Sequence, residues 1–128
     1  MVEEIAGKVV TVAKNDEISL SEIEKFDKII LSPGPGIPSE AGVLLEVILN
    51  FSGIKPIFGV CLGMQAIAES FGGSLKLLEE VYHGVAVEAI SQNKNAKLFK
   101  NLPTKLEVGR YHSWVVNTKD FPEELEIT

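Results

Sequence analysis

Along the first half of the chain, apolar and polar positions fall into blocks whose periods alternate between those of strands and helices. Residues 8–13 (KVVTVA) form a β-branched run and read as a strand. Residues 15–26 are polar, and Ser19 followed three positions later by Glu22 marks a capping box for a short helix. Residues 28–31 (KIIL) read as a strand of the kind buried on both faces of a parallel sheet. Ser39 is then a candidate N-cap. From there Leu44, Val47, Ile48 and Phe51 recur at i, i+3, i+4 and i+7, one face of a helix that Gly53 ends. Residues 55–60 (KPIFGV) give another buried strand. Met64, Ile67, Ala68 and Phe71 then repeat the helical spacing, and Gly72-Gly73 stops that helix.

Strand, helix, strand, helix with short connections predicts an α/β fold, an open, mostly parallel sheet with helices on both faces. The second half differs: residues 74–78, 85–91, 106–112 and 124–128 read as shorter, partly alternating strands joined by polar turns. With 128 residues and no repeat, low-complexity tract or linker, a single domain over 1–128 is expected.

Charge and cysteine content narrow the chemistry. The 12 basic and 18 acidic residues leave a net charge of −6 with no basic stripe, which argues against a nucleic-acid partner. No apolar run approaches the ~18 residues of a membrane span, so no membrane partner is expected either. The one cysteine, Cys61, cannot form an internal disulfide, which favours a reducing, cytoplasmic setting. Cys61 and the two histidines, His83 and His112, lie far apart in sequence and suggest no metal site; no metal or organic cofactor is expected.

Gly59-Val60-Cys61-Leu62-Gly63 has the G-x-nucleophile-x-G spacing, with cysteine at the centre, after a buried strand and before a helix. A sharp strand-to-helix turn crowds the backbone around its middle residue, so the neighbours two positions away must lack side chains. The turn lifts the sulfur above the sheet edge and sets it at a helix N-terminus, which favours thiolate over thiol. The Leu62 amide then points toward an oxyanion forming on the attacked carbonyl. A lone cysteine is more often a small buried hydrophobe, but the two glycines and the flanking elements favour a nucleophile here.

The loop Ser32-Pro33-Gly34-Pro35-Gly36-Ile37-Pro38 is a poor phosphate cradle, because its prolines supply no N–H. It could be no more than a stiff connection. It lies at the carboxyl end of a parallel strand, however, where open α/β sheets bind ligands, so it is expected to face one crevice with Cys61.

Taken together, this loop and Gly59-Val-Cys-Leu-Gly-Met-Gln65 resemble the class I, triad-type glutamine amidotransferases, whose fold is flavodoxin-like. The Pro-Gly-Pro-Gly form looks most like the glutaminase subunit (component II) of anthranilate or aminodeoxychorismate synthase. His83-Gly84 and Arg110-Tyr-His-Ser113 match in the same order, and the resemblance runs from about Ile5 to Thr128. It implies that Cys61 attacks the side-chain amide of glutamine, forming a γ-glutamyl thioester and releasing ammonia. It further implies that the Leu62 amide and the loop at Gly34, Pro35 and Gly36 form the oxyanion hole and contact substrate. Gln65 would hold the glutamine, and the Ser113-Trp114 backbone its amino-acid end. A chorismate-using synthase subunit (component I) would consume the ammonia.

The resemblance has gaps. The family's base is a histidine in a His-Pro-Glu sequence past the position of Thr128, and a further strand belongs before residue 7, between the strands 8–13 and 28–31. The family's lysine after His-Gly is Val85 here. The expectation is a chain cut at both ends, prone to association through unpaired edges and unable to turn over glutamine. A non-catalytic glutamine- or partner-binding fragment is the alternative, and a cysteine hydrolase using His112 is a third.

Overall fold

A computed structural model describes residues 2–80, 82–93 and 96–128. Its elements, in chain order, are α1 (Val2–Ala6), α2 (Leu20–Ile23), β1 (Ile29–Leu31), α3 (Leu44–Phe51), β2 (Ile57–Gly59), α4 (Leu62–Ser70), β3 (Leu75–Leu77), β4 (Val85–Ile90), β5 (Lys105–Arg110) and β6 (Trp114–Val116). Short 3₁₀ turns cover Pro38–Glu40 and Lys97–Phe99.

The parallel pairing expected of the first half is present in β1 and β2, in the register Ile29↔Ile57, Ile30↔Phe58 and Leu31↔Gly59. The second half pairs antiparallel, β3 with β6 and β4 with β5. The α/β class therefore holds, with the strands among the described residues arranged as three two-stranded pairs. The core lies where the helical spacing placed it. Leu44, Val47, Ile48 and Phe51 are all buried on α3 and cluster with Ile23, Leu31, Ala41, Leu62 and Ala66. The face of β1 and β2 bearing Ile30 and Phe58 stays open, at 51% and 46% exposure, so β1 is not buried on both sides.

Residues 8–13 form no strand. Val9 and Val12 are 92% and 90% exposed, and the Val10 N–H donates to Glu3 Oε1 at 2.8 Å. β-branched residues fit a pleated, half-buried surface, but a strand also needs a partner backbone, and none pairs with this segment among the described residues. Residues 124–128 are likewise no strand; the Leu125 N–H turns back to the Pro122 carbonyl. Ser39 does not cap α3. The proline at the start of the 3₁₀ turn and the positive φ of Gly42 (56°) intervene, and Val43 holds the cap position. The Ser19–Glu22 pairing does form: Glu22 Oε2 accepts from the Ser19 N–H at 3.0 Å and from its hydroxyl at 2.7 Å, opening a helix of only 4 residues. On α4 the buried set is Leu62, Gly63, Gln65, Ala66 and Ala68, while Met64 is 46% exposed. Of the expected stripe, Ala68 is buried and Ile67 and Phe71 pack partly buried against the core, so Met64 alone departs from it, where Gly63 lies directly against Leu31.

Candidate nucleophile elbow and its neighbouring segment

β2 ends at Gly59 and α4 begins at Leu62, which leaves Val60 and Cys61 to reverse the chain. The Val60 N–H still donates to the Leu31 carbonyl (2.9 Å), prolonging the parallel ladder, and the Gly63 N–H closes the turn on the Val60 carbonyl (3.0 Å). Between them Cys61 takes φ 53°, ψ −107°, a conformation that L-residues rarely adopt. Such a residue costs about 1–3 kcal/mol and persists only where its surroundings fix it. Both flanking glycines do the fixing. A Cβ at Gly59 would stand 2.5 Å from the Gly63 backbone, and one at Gly63 would stand 2.5 Å from the Leu31 carbonyl oxygen. The crowding argued from spacing is thus a geometric fact. The thiol it presents is free and exposed.

The proline-rich loop approaches the elbow as expected. A Cβ at Gly34 would meet Leu62 Cδ2 at 2.8 Å, so the loop's backbone lies against the residue after the nucleophile. Gly36 has φ 75° and lies beside the Glu40 carboxylate. Gly34, Pro35 and Gly36 are all exposed. Loop and elbow therefore share one surface.

Gln65 follows Cys61 by one helical turn, its N–H donating to the Cys61 carbonyl at 3.0 Å. Its side chain is only 5% exposed, and Nε2 donates to the Trp114 carbonyl at 3.0 Å. That bond carries the elbow across to residues 112–114. There β6 pairs Trp114 with Leu77, and the Ser113 carbonyl accepts from the Leu78 N–H at 2.8 Å. The same Trp114 carbonyl also takes His112 Nδ1 at 3.1 Å, a contact that sequence spacing could not reveal because it depends on where β6 begins. Cys61, Leu62, Gly34, Gln65, Ser113 and Trp114 are thus joined by contact or hydrogen bond.

The histidines are occupied elsewhere. His83 meets Tyr111 edge-on at 5.4 Å, and Arg110 stacks 3.9 Å over the Tyr82 ring. No hydrogen bond joins either histidine to Cys61 among the described residues. Further along α4, burial pushes the Glu69 carboxyl above its ordinary value. Among the described residues no three potential ligands gather for a metal ion, and no helix is long and apolar enough to cross a membrane. Two surface depressions, about 300 Å³ beside Lys76 and Lys119 and about 200 Å³ beside Ile67 and Phe71, exclude Cys61.

Residues 3–128 match the sequence model of the family described as glutamine amidotransferase class-I. The chain is 43% identical to an anthranilate synthase component 2 of Pseudomonas putida over 95% of its own length and 62% of the relative's. It is 40% identical to an aminodeoxychorismate/anthranilate synthase component 2 of Bacillus subtilis, covering 95% of this chain and 63% of that one. In structure it resembles a putative GMP synthase protein of Thermoplasma acidophilum, with a TM-score of 0.77 and 25% identity over 95% of this chain and 60% of that one. The chain thus spans less than two-thirds of the length of these relatives.

Proposed function

The chain belongs to the class-I glutamine amidotransferases, and on that premise we propose that residues 1–128 form an amidotransferase domain whose Cys61 is acylated by glutamine. The observation that carries the reading is the strained, exposed Cys61 between two glycines that cannot bear a side chain. Cys61 Sγ attacks the side-chain carbonyl carbon of glutamine. The carbonyl π pair moves to oxygen, where the Leu62 amide and the Gly34-Pro35-Gly36 loop stabilise the oxyanion. Collapse of that intermediate breaks the C–N bond; the nitrogen takes up the proton given up by the Cys61 thiol and leaves as ammonia, and a γ-glutamyl thioester remains. Water then releases glutamate and restores the thiol. Gln65, whose Nε2 is committed to Trp114, has Oε1 left to accept from the substrate's α-ammonium group. The Ser113-Trp114 backbone holds the amino-acid end. The component 2 relatives support a chorismate-using synthase partner, which would consume the ammonia.

One observation favours a second reading, in which this chain captures glutamine without turning it over. Departure of ammonia needs a proton donor, and neither His83 nor His112 is hydrogen-bonded to Cys61. The test is ammonia release from glutamine, followed together with the intact mass of the chain. One ammonia per chain and a glutamyl adduct absent from Cys61→Ser would support acylation without turnover, and repeated release would support the full cycle. No adduct and no ammonia would contradict acylation and, with glutamine still protecting the thiol from alkylation, would support capture alone.

A further inference from the structure

We infer that His112 is a positioning residue: together with Gln65 it clamps the Trp114 carbonyl and thereby fixes the Ser113-Trp114 backbone relative to Cys61. The functional half of this inference rests on the glutamine reading above, whereas the clamp itself does not. A carbonyl oxygen only accepts, so both neighbours must present hydrogens to it. Gln65 therefore turns its nitrogen and not its oxygen toward Trp114, at 3.0 Å. His112 must carry its proton on Nδ1, at 3.1 Å from the same oxygen, which leaves Nε2 bare in the neutral ring. With two donors the carbonyl's two lone pairs are filled.

The two donors come from different places. Gln65 belongs to α4 and is tied to Cys61 through its own N–H (3.0 Å). His112 lies in the connection between β5 and β6, two residues before its acceptor, and folds that connection onto β6. On the far side, Leu78 N–H holds the Ser113 carbonyl at 2.8 Å. The Ser113-Trp114 peptide is thereby fixed by β3, α4 and its own preceding loop. Without His112, one of these restraints is lost while the elbow, which is built on Gly59, Gly63 and Leu31, is untouched.

The test uses the 128-residue chain and two probes of Cys61. Iodoacetamide reports only an accessible thiol; a chloroketone analogue of glutamine also reports the pocket. His112→Ala is expected to raise the half-saturating chloroketone concentration about five- to tenfold, the size of one hydrogen bond, with its limiting rate and the iodoacetamide rate unchanged. His112→Asn, whose amide N–H can reach the place of Nδ1, is expected to restore most of the affinity. Unchanged affinity in His112→Ala, no rescue by His112→Asn, or an equal loss with both probes would overturn the positioning role. Nitrogen-15 spectra of the wild-type ring decide the clamp even if His112→Ala does not fold: an Nδ1–H tautomer is expected, and an Nε2–H tautomer would overturn it. If glutamine does not protect the wild-type thiol from the chloroketone while the ring is the Nδ1–H tautomer, the glutamine reading fails and the clamp survives.

Discussion

Residues 20–73 and residues 74–128 are held together by different means. In the first stretch, α3, α4 and β1 bury a shared apolar cluster, and all the described buried hydrophobic side chains fall between Ile23 and Ala68. In the second, Pro122 alone is buried among the described residues, and order comes from backbone ladders such as the one running from Val85↔Arg110 to Ile90↔Lys105. Hydrophobic burial is worth roughly 25 cal/mol per Å², whereas a ladder hydrogen bond adds only about 0.5–1.5 kcal/mol net. The strained Cys61 is supported by the first stretch. The Ser113-Trp114 backbone belongs to the second. The candidate site therefore spans a firmly packed wall and a weakly packed one, with Gln65 bridging them.

The largest expected contrast is in stability. Ile48 is 1% exposed, and Ile48→Ala should cost about 2–5 kcal/mol in urea denaturation. Val108, at 36% exposure on β5, should lose no more than about 1 kcal/mol as alanine. Equal losses would erase the distinction between the two stretches.

Next in size is the elbow. Gly63→Ala forces a methyl to within 2.5 Å of Leu31 and should cost about 1–3 kcal/mol. Because the strain falls on the turn, Cys61 alkylation should change with it, while Gly72→Ala, strained by its φ of 90° but at the far end of α4 from the elbow, should leave the alkylation rate of the folded chain as it is. A smaller difference should appear in hydrogen exchange: amides of β4 and β5 opening locally, amides of α3 only with global unfolding. Uniform protection across both would contradict the account.

Two carboxyls in the first stretch sharpen it with opposite signs. The Ser19 hydroxyl and N–H hold Glu22 below its ordinary value of 4.5, so the stability they contribute is present above that value and lost as pH falls through the lowered one. Burial raises Glu69 above 4.5, so stability is fuller below that value and lost as pH rises through the raised one. Melting at about pH 7 and about pH 3 checks both: Glu22→Gln should be less stable than wild type only at the higher pH, and Glu69→Gln more stable only there.

What the sequence made legible follows the same division. The α3 stripe and the elbow glycines could be read directly, since periodicity and the absence of a Cβ are local properties that the core then uses. The strands assigned to residues 8–13 and 124–128 failed because a strand depends on a partner backbone, which composition does not specify. The α4 stripe held at Ile67, Ala68 and Phe71 but not at Met64, because contact of Gly63 with Leu31 helps set which face turns inward. Gln65, Ser113 and Trp114 could be named from resemblance alone. Their hydrogen bond, and the part His112 takes in it, required the register of β6 against β3.

The central claim, that the two walls form one glutamine site around a nucleophilic Cys61, is tested most directly by labelling with the chloroketone analogue of glutamine in the presence and absence of glutamine. The account predicts saturable modification of Cys61, slowed by glutamine and not by the same concentration of glutamate, whereas iodoacetamide labelling of the same thiol rises linearly with reagent. Chloroketone modification that rises linearly with reagent and is indifferent to glutamine would contradict it.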